Sequence, residues 1–133
     1  MIRPCFLVVD REYASSISTR KLVIETAKFN VITAYSAAEA IETLKLFPNV
    51  TGAVLDSGMR DMSCCDLTAS LKQIHPGLPV VIISALDDHL CDGADHVLRS
   101  FDPASLLELL TSLVPAQAAA IRERSARLNE SQP

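Results

Sequence analysis

Two apolar runs in this chain each close on an aspartate. Cys5-Phe6-Leu7-Val8-Val9 ends at Asp10, and Gly52-Ala53-Val54-Leu55 ends at Asp56; a third run, Pro79 to Ile83, ends at the hydroxyl of Ser84. In an open parallel α/β sheet, ligands bind outside the carboxyl ends of the strands, where the strand order reverses. If the first and third runs are neighbours in such a sheet, Asp10 and Asp56 face one crevice as a pair of carboxylates. A strand-end aspartate can instead cap the helix that follows it. A second candidate cluster is His89, Cys91 and His96, which carry metal-ligating side chains. No second pair with metal-site spacing accompanies them, so a metal centre is not expected there.

Positioning the two acids requires strands, and the apolar runs supply them. Val31-Ile32-Thr33-Ala34-Tyr35 is short and β-branched, Pro79 to Ser84 is the most β-branched stretch of the chain, and His96-Val97-Leu98-Arg99 is a weak fifth run. Runs apolar on both faces suit strands buried on both sides. Helical patterns alternate with them. Ser15 to Lys28 carries Ile17, Leu22, Ile24 and Ala27; Ser36-Ala37-Ala38-Glu39 reads as a capping box ahead of Ala40, Ile41 and Leu44. Asp66 to Ile74 is stopped by His75-Pro76-Gly77, and Asp102-Pro103 opens a leucine-rich helix. Strict alternation predicts right-handed βαβ units around a parallel sheet.

Composition narrows the function classes. The chain has 133 residues, 49% hydrophobic and 21% charged, which fits one domain with its own core. A net charge of -4 argues against direct nucleic-acid binding, which needs a basic face. No apolar run approaches the roughly 18 residues that span a membrane, and the first residues lack a signal-peptide pattern. A cytoplasmic protein is expected. The cysteines, Cys5, Cys64, Cys65 and Cys91, include no Cys-x-x-Cys pair, so reduced thiols are the expectation. Residues 1–115 read as one domain and 116–133 as a helical or disordered tail. In and beside that tail Val114, Ile121 and Leu128 are spaced seven apart, as in a homodimer seam, but two heptad steps are few and a solvated tail or severed linker is the expected reading.

The ordered pieces resemble the receiver domain of bacterial two-component response regulators. Val8-Val9-Asp10 is similar to the first-strand acidic motif of that family, Ala53-Val54-Leu55-Asp56 to its phosphoacceptor strand, and Asp61-Met62-Ser63 to the loop beyond. Pro79 through Ala85 is similar to the fourth strand with its terminal hydroxyl, and Gly93 to Leu98 followed by Phe101-Asp102-Pro103 to the fifth strand and last helix. The resemblance spans residues 3–114 and makes the 1–115 unit receiver-like. It implies a flavodoxin-like, doubly wound five-stranded parallel sheet of order 2-1-3-4-5. It also implies a phosphorelay role in which Asp56 accepts a phosphoryl group from a sensor histidine kinase or phosphotransfer protein. Asp10, Asp56 and the Gly58 carbonyl would hold Mg²⁺, with Ser84 and Arg99 contacting the phosphoryl group.

The chain departs from the family pattern where charge matters most. Arg11 stands in place of a second acid after Asp10, with Glu12 following. Arg99 replaces a lysine, Ser100 a proline, Arg60 a proline and Val97 an aromatic residue. The segment between Ser84 and Gly93 is too short for a full helix with its connections, so that helix is expected to be shortened or absent. Two carboxylates facing two guanidiniums, with Arg11 able to pair bidentately with Asp56, would bind Mg²⁺ poorly. The alternative is therefore a pseudo-receiver, a phosphorylation-independent protein-binding module. An enzyme is not expected. A phosphohydrolase with an aspartate nucleophile would want an acid where Gly58 stands, and a flavin phosphate loop would not read Asp10-Arg11-Glu12-Tyr13.

Overall fold

The computed structural model describes residues 3–11, 18–84, 93–99 and 102–114. Five strands, β1 (Cys5–Val9), β2 (Asn30–Ala34), β3 (Gly52–Asp56), β4 (Val80–Ile83) and β5 (His96–Leu98), form one parallel sheet in the order β2-β1-β3-β4-β5. Among the described residues four helices accompany them: α1 (Thr19–Thr26), α2 (Ala37–Leu46), α3 (Cys64–Ile74) and α4 (Pro103–Leu113). The doubly wound 2-1-3-4-5 sheet expected from the sequence is the one observed. The shortened helix between β4 and β5 falls on residues 85–92, and the tail on 115–133, both outside the described residues.

Both faces of the central strands β1, β3 and β4 are buried, which is why these read as continuous apolar runs. Side chains still alternate. Leu7, Val9, Ala53, Leu55, Val80 and Ile82 point to one face and pack with Ala40 and Leu44 of α2 and Leu67 and Leu71 of α3. Phe6, Val8, Val54, Val81 and Ile83 point to the other, against Ile24 of α1 and Leu106 and Leu110 of α4. Phe6 stacks at a tilt on Phe29, centroids 5.4 Å apart. It also lies directly over Gly52, where an added Cβ would come within 3.2 Å of its ring.

Helix starts are set by local polar chemistry. Ser18, Ser36 and Ser63 occupy the N-cap positions of α1, α2 and α3, and each hydroxyl accepts from an amide three residues on. α3 thus begins at Cys64, two residues before Asp66, because the cap is Ser63. Asp102 sits at the N-cap of α4 but makes no side-chain bond to a helix amide. Its carboxylate accepts instead from the Ser105 hydroxyl at 2.6 Å. At α2, two further amides would be left over once Ser36 has capped Glu39. Asp61, far along the chain, takes both: its oxygens accept from Ala37 N at 3.0 Å and Ala38 N at 3.1 Å. Another carboxylate ties the sheet edge. Asp95 accepts from Val80 N at 2.7 Å and Lys72 Nζ at 2.8 Å. Burial opposes its ionisation, but those bonds outweigh it and hold the carboxyl below its ordinary range.

The expectation of reduced thiols fails at one position. Cys5 and Cys64 form no disulfide, whereas Cys65, exposed in the first turn of α3, is disulfide-bonded. Sequence spacing reveals local motifs such as Cys-x-x-Cys; it does not reveal a bridge closed by the tertiary fold. The thiol argument for a reducing compartment is weakened accordingly. No helix among the described residues is long and apolar enough to cross a membrane.

The amides of Ala37 and Ala38 pull the Asp61 carboxyl below its ordinary value. A depressed carboxyl stabilises the fold above its unfolded-state pKa and loses that contribution as pH falls through the native one. Asp61→Ala should therefore cost about 0.5–1 kcal/mol at neutral pH, the lower half of a helix cap's usual worth because solvent screens these bonds. Urea unfolding of both proteins should give curves that converge as the medium is acidified below about pH 4. A pH-independent gap would refute the role.

Candidate functional site

The carboxyl ends of β1 and β3 are adjacent, so the sheet brings Asp10 and Asp56 together as the sequence predicts. Both are buried, with relative exposures of 2% and 5%. Buried carboxylates need partners, and each has them. Asp10 Oδ2 accepts from the buried Ser18 hydroxyl at 2.8 Å. Asp56 Oδ1 accepts from Gly58 N at 2.6 Å.

The main counter-charge is Arg20, which the sequence reading did not single out. Its Nη1 donates to Asp56 Oδ2 at 2.7 Å and lies 3.7 Å from Asp10 Oδ1. The Arg20 side chain is only 14% exposed, so one guanidinium bridges both acids from within. Arg20 is the second residue of α1, at the end of the helix where the macrodipole disfavours a cation. A basic Thr19-Arg20-Lys21 at a helix start was the available signal. A cation there implies carboxylates close enough to outweigh the dipole.

Arg11 does approach Asp56, but differently from expectation. Its Nε is 3.8 Å from Asp56 Oδ2 and its side chain is 66% exposed, a peripheral contact and not a bidentate fork. The guanidinium lies along Gly58, whose missing side chain makes room for it. A Cβ there would sit 3.0 Å from Asp56 Oδ1 and 3.1 Å from Arg11 Nη1. Gly58 has no positive φ, so space, not backbone conformation, explains the glycine. The Gly58 amide serves the acid, whereas a metal-ligand role was expected of its carbonyl.

Ser84 follows β4 immediately, half-buried, with its amide bonded to Leu98 O at 2.8 Å. Asp56 is in register with Ile83 on the neighbouring strand, so Ser84 stands one step beyond the strand end beside Asp56. Arg99 is exposed just past β5. At Asp56 a guanidinium hydrogen bond comes from Arg20, on α1. Cys64 is buried below, where burial pushes its thiol up and the Asp56 charge adds to the effect. An un-ionised thiol of this kind is a poor nucleophile. Of the histidine and cysteine cluster, only His96 is described, exposed on β5.

No family model matches the chain, and no curated protein matches it by sequence. Solved structures do. A response regulator receiver domain protein from Clostridium thermocellum superposes with a TM-score of 0.74 at 22% identity, covering 88% of this chain and 98% of that one. A CheY-like receiver domain protein from Methanospirillum hungatei JF-1 gives 0.73 at 18% identity, over 92% and 99%. CheY in a CheX-CheY-BeF3-Mg²⁺ complex from Borrelia burgdorferi gives 0.68 at 26% identity, over 83% and 88%. The fold is that of response regulator receiver domains.

That likeness raises the question of whether Mg²⁺ fits here. The ion takes oxygen ligands in near-octahedral geometry and usually keeps several waters. Between Asp10 and Asp56 the space is taken by a guanidinium bonded to the oxygen such an ion would need. Among the described residues no group of three or more His, Cys, Asp or Glu side chains converges. These residues, in this arrangement, do not fit a divalent cation.

Removing Arg20 should expose how much the pair depends on it. Arg20→Ala leaves two buried carboxylates without their shared counter-ion, a change of about 3 kcal/mol or more. Arg11→Ala, at an exposed and longer contact, should cost about 0.5 kcal/mol or less. Denaturant midpoints of the two variants measure this; equal losses would contradict the ranking.

Proposed function

We propose that this domain is a receiver-type signalling module that acts through contact with partner proteins, without magnesium-dependent phosphorylation of Asp56. One observation carries the reading: Arg20 Nη1, 2.7 Å from Asp56 Oδ2 and 3.7 Å from Asp10 Oδ1, is a built-in cation where a receiver would recruit a metal. Phosphoryl transfer to a carboxylate needs a free nucleophilic oxygen and a cation to take up charge on the phosphoryl group. Here Asp56 Oδ2 is held in an ion pair with Arg20 and Oδ1 accepts from the Gly58 amide. A divalent cation would have to displace a fixed guanidinium and would meet the repulsion of Arg11 as well.

A second reading, phosphoacceptance at Asp56, is favoured by the register that sets Ser84 beside it. In that case a sensor histidine kinase or phosphotransfer protein is the donor, and Arg20 must swing away from Asp56 as Mg²⁺ enters. The two readings separate in one experiment. The protein is incubated with acetyl phosphate and Mg²⁺ alongside a competent receiver domain, and intact masses are compared. The unmodified mass is expected. An added phosphoryl group that is lost in Asp56→Asn would establish the second reading.

Magnesium itself gives a further check. Titration to about 10 mM Mg²⁺, followed by amide NMR, should leave Asp10, Asp56 and Gly58 unmoved in the wild type. In Arg20→Ala the same titration should produce saturable shifts at these positions, because a carboxylate pair without its guanidinium attracts a cation. Localised shifts in the wild type would count against the proposal.

A further inference from the structure

Beside the Asp10–Asp56 crevice, at the carboxyl ends of β1, β2 and β3, lies a second cavity of about 210 Å³. It is lined by Arg11, Tyr35, Ser36, Met59, Arg60 and Asp61. Its position is where open parallel sheets bind ligands, close to the β1–β3 reversal of strand order. Its chemistry differs from that of the neighbouring crevice. There, carboxylates are matched by Arg20. Here, two arginines face the opening with little of their hydrogen-bonding capacity used.

Arg60 has no ion pair or hydrogen bond among the described residues. Arg11 makes one long contact with Asp56, leaving the rest of its fork open. The bare backbone of Gly58 lets the guanidinium settle against the loop that also carries Arg60. One carboxylate lines the cavity, Asp61, and its oxygens are engaged by the Ala37 and Ala38 amides. Those bonds and the Ser36 cap at Glu39 also occupy amides of the first turn of α2, so recognition would fall to the arginines.

We propose that this cavity binds a phosphate monoester on a small organic stem. The inference is independent of whether Asp56 is phosphorylated. Two guanidiniums lining one small cavity ask for an anion with oxygens to spare for both. A phosphate dianion offers three, whereas a single carboxylate is filled by one arginine fork. Ser36 adds a hydroxyl, and Tyr35 and Met59 supply carbon surface against which a stem can rest. The volume falls below the roughly 300 Å³ at which pockets for drug-sized ligands begin, which suits a small ester and excludes a dinucleotide.

The test uses the full chain and watches the arginine Nε–H and backbone amide signals by NMR. O-phosphoserine, inorganic phosphate and glutamate serve as probes at constant ionic strength. Saturable shifts at Arg11, Arg60 and Ser36 are expected with O-phosphoserine, bound several-fold more tightly than inorganic phosphate. Arg60→Gln, at an exposed loop position, should weaken that binding roughly tenfold, as expected for one lost charge-assisted hydrogen bond. Absence of saturation, or unchanged affinity in Arg60→Gln, would overturn the site. Inorganic phosphate binding as well as the ester would overturn the organic stem, and glutamate binding as well would overturn the preference for phosphate.

Discussion

A buried carboxylate pair must be neutralised, and in this protein an arginine from the first turn of α1 does so. The sheet order creates the problem by setting the ends of β1 and β3 side by side, each finishing on an aspartate with almost no access to water. Desolvating two like charges at such a distance is costly unless a cation stands between them. Arg20 is held there by the start of α1, which Ser18 fixes by accepting from Lys21 N while donating to Asp10. Helix start, strand end and counter-ion thus form one connected unit.

This unit bears on how a receiver fold can work. A recruited ion comes and goes with its concentration, so a site built on it is responsive. An arginine is charged at every physiological pH and tethered by its own backbone. Replacing the first by the second makes the crevice constant. On this reading, signals reach the domain at its surface, and the crevice serves to hold α1 against the sheet.

Much of this was legible in the chain and some was not. The central strands were visible because both their faces are buried, so each left an apolar run; the edge strands β2 and β5 left shorter β-branched or mixed runs, and even β5 could be placed at His96. The Ser36 cap was readable since its bond is local. Asp10, Asp56 and Ser84 were identified as strand-end residues, and the fold set them side by side. Arg20 was missed because its partners lie ten and thirty-six positions away and its own neighbourhood looks like an ordinary polar helix start. Arg11, next to Asp10 in sequence, drew attention for the opposite reason. Adjacency along a strand end sends consecutive side chains to different sides, and Arg11 turned mostly outward. The Asp61 bonds to α2 are likewise a product of tertiary proximity.

The Asp61 contact has a mechanical consequence. Residues 57–63 leave the strand that carries Asp56, and midway along that loop Asp61 grips the leading amides of a different helix. The loop is therefore clamped at three points: at the strand, at the start of α3, and at α2. A segment pinned in this way cannot shift one end alone. Any displacement of the chain just past Asp56 must either break two amide bonds or carry the tip of α2 along with it, so the loop is geared to the helix that packs beside α3.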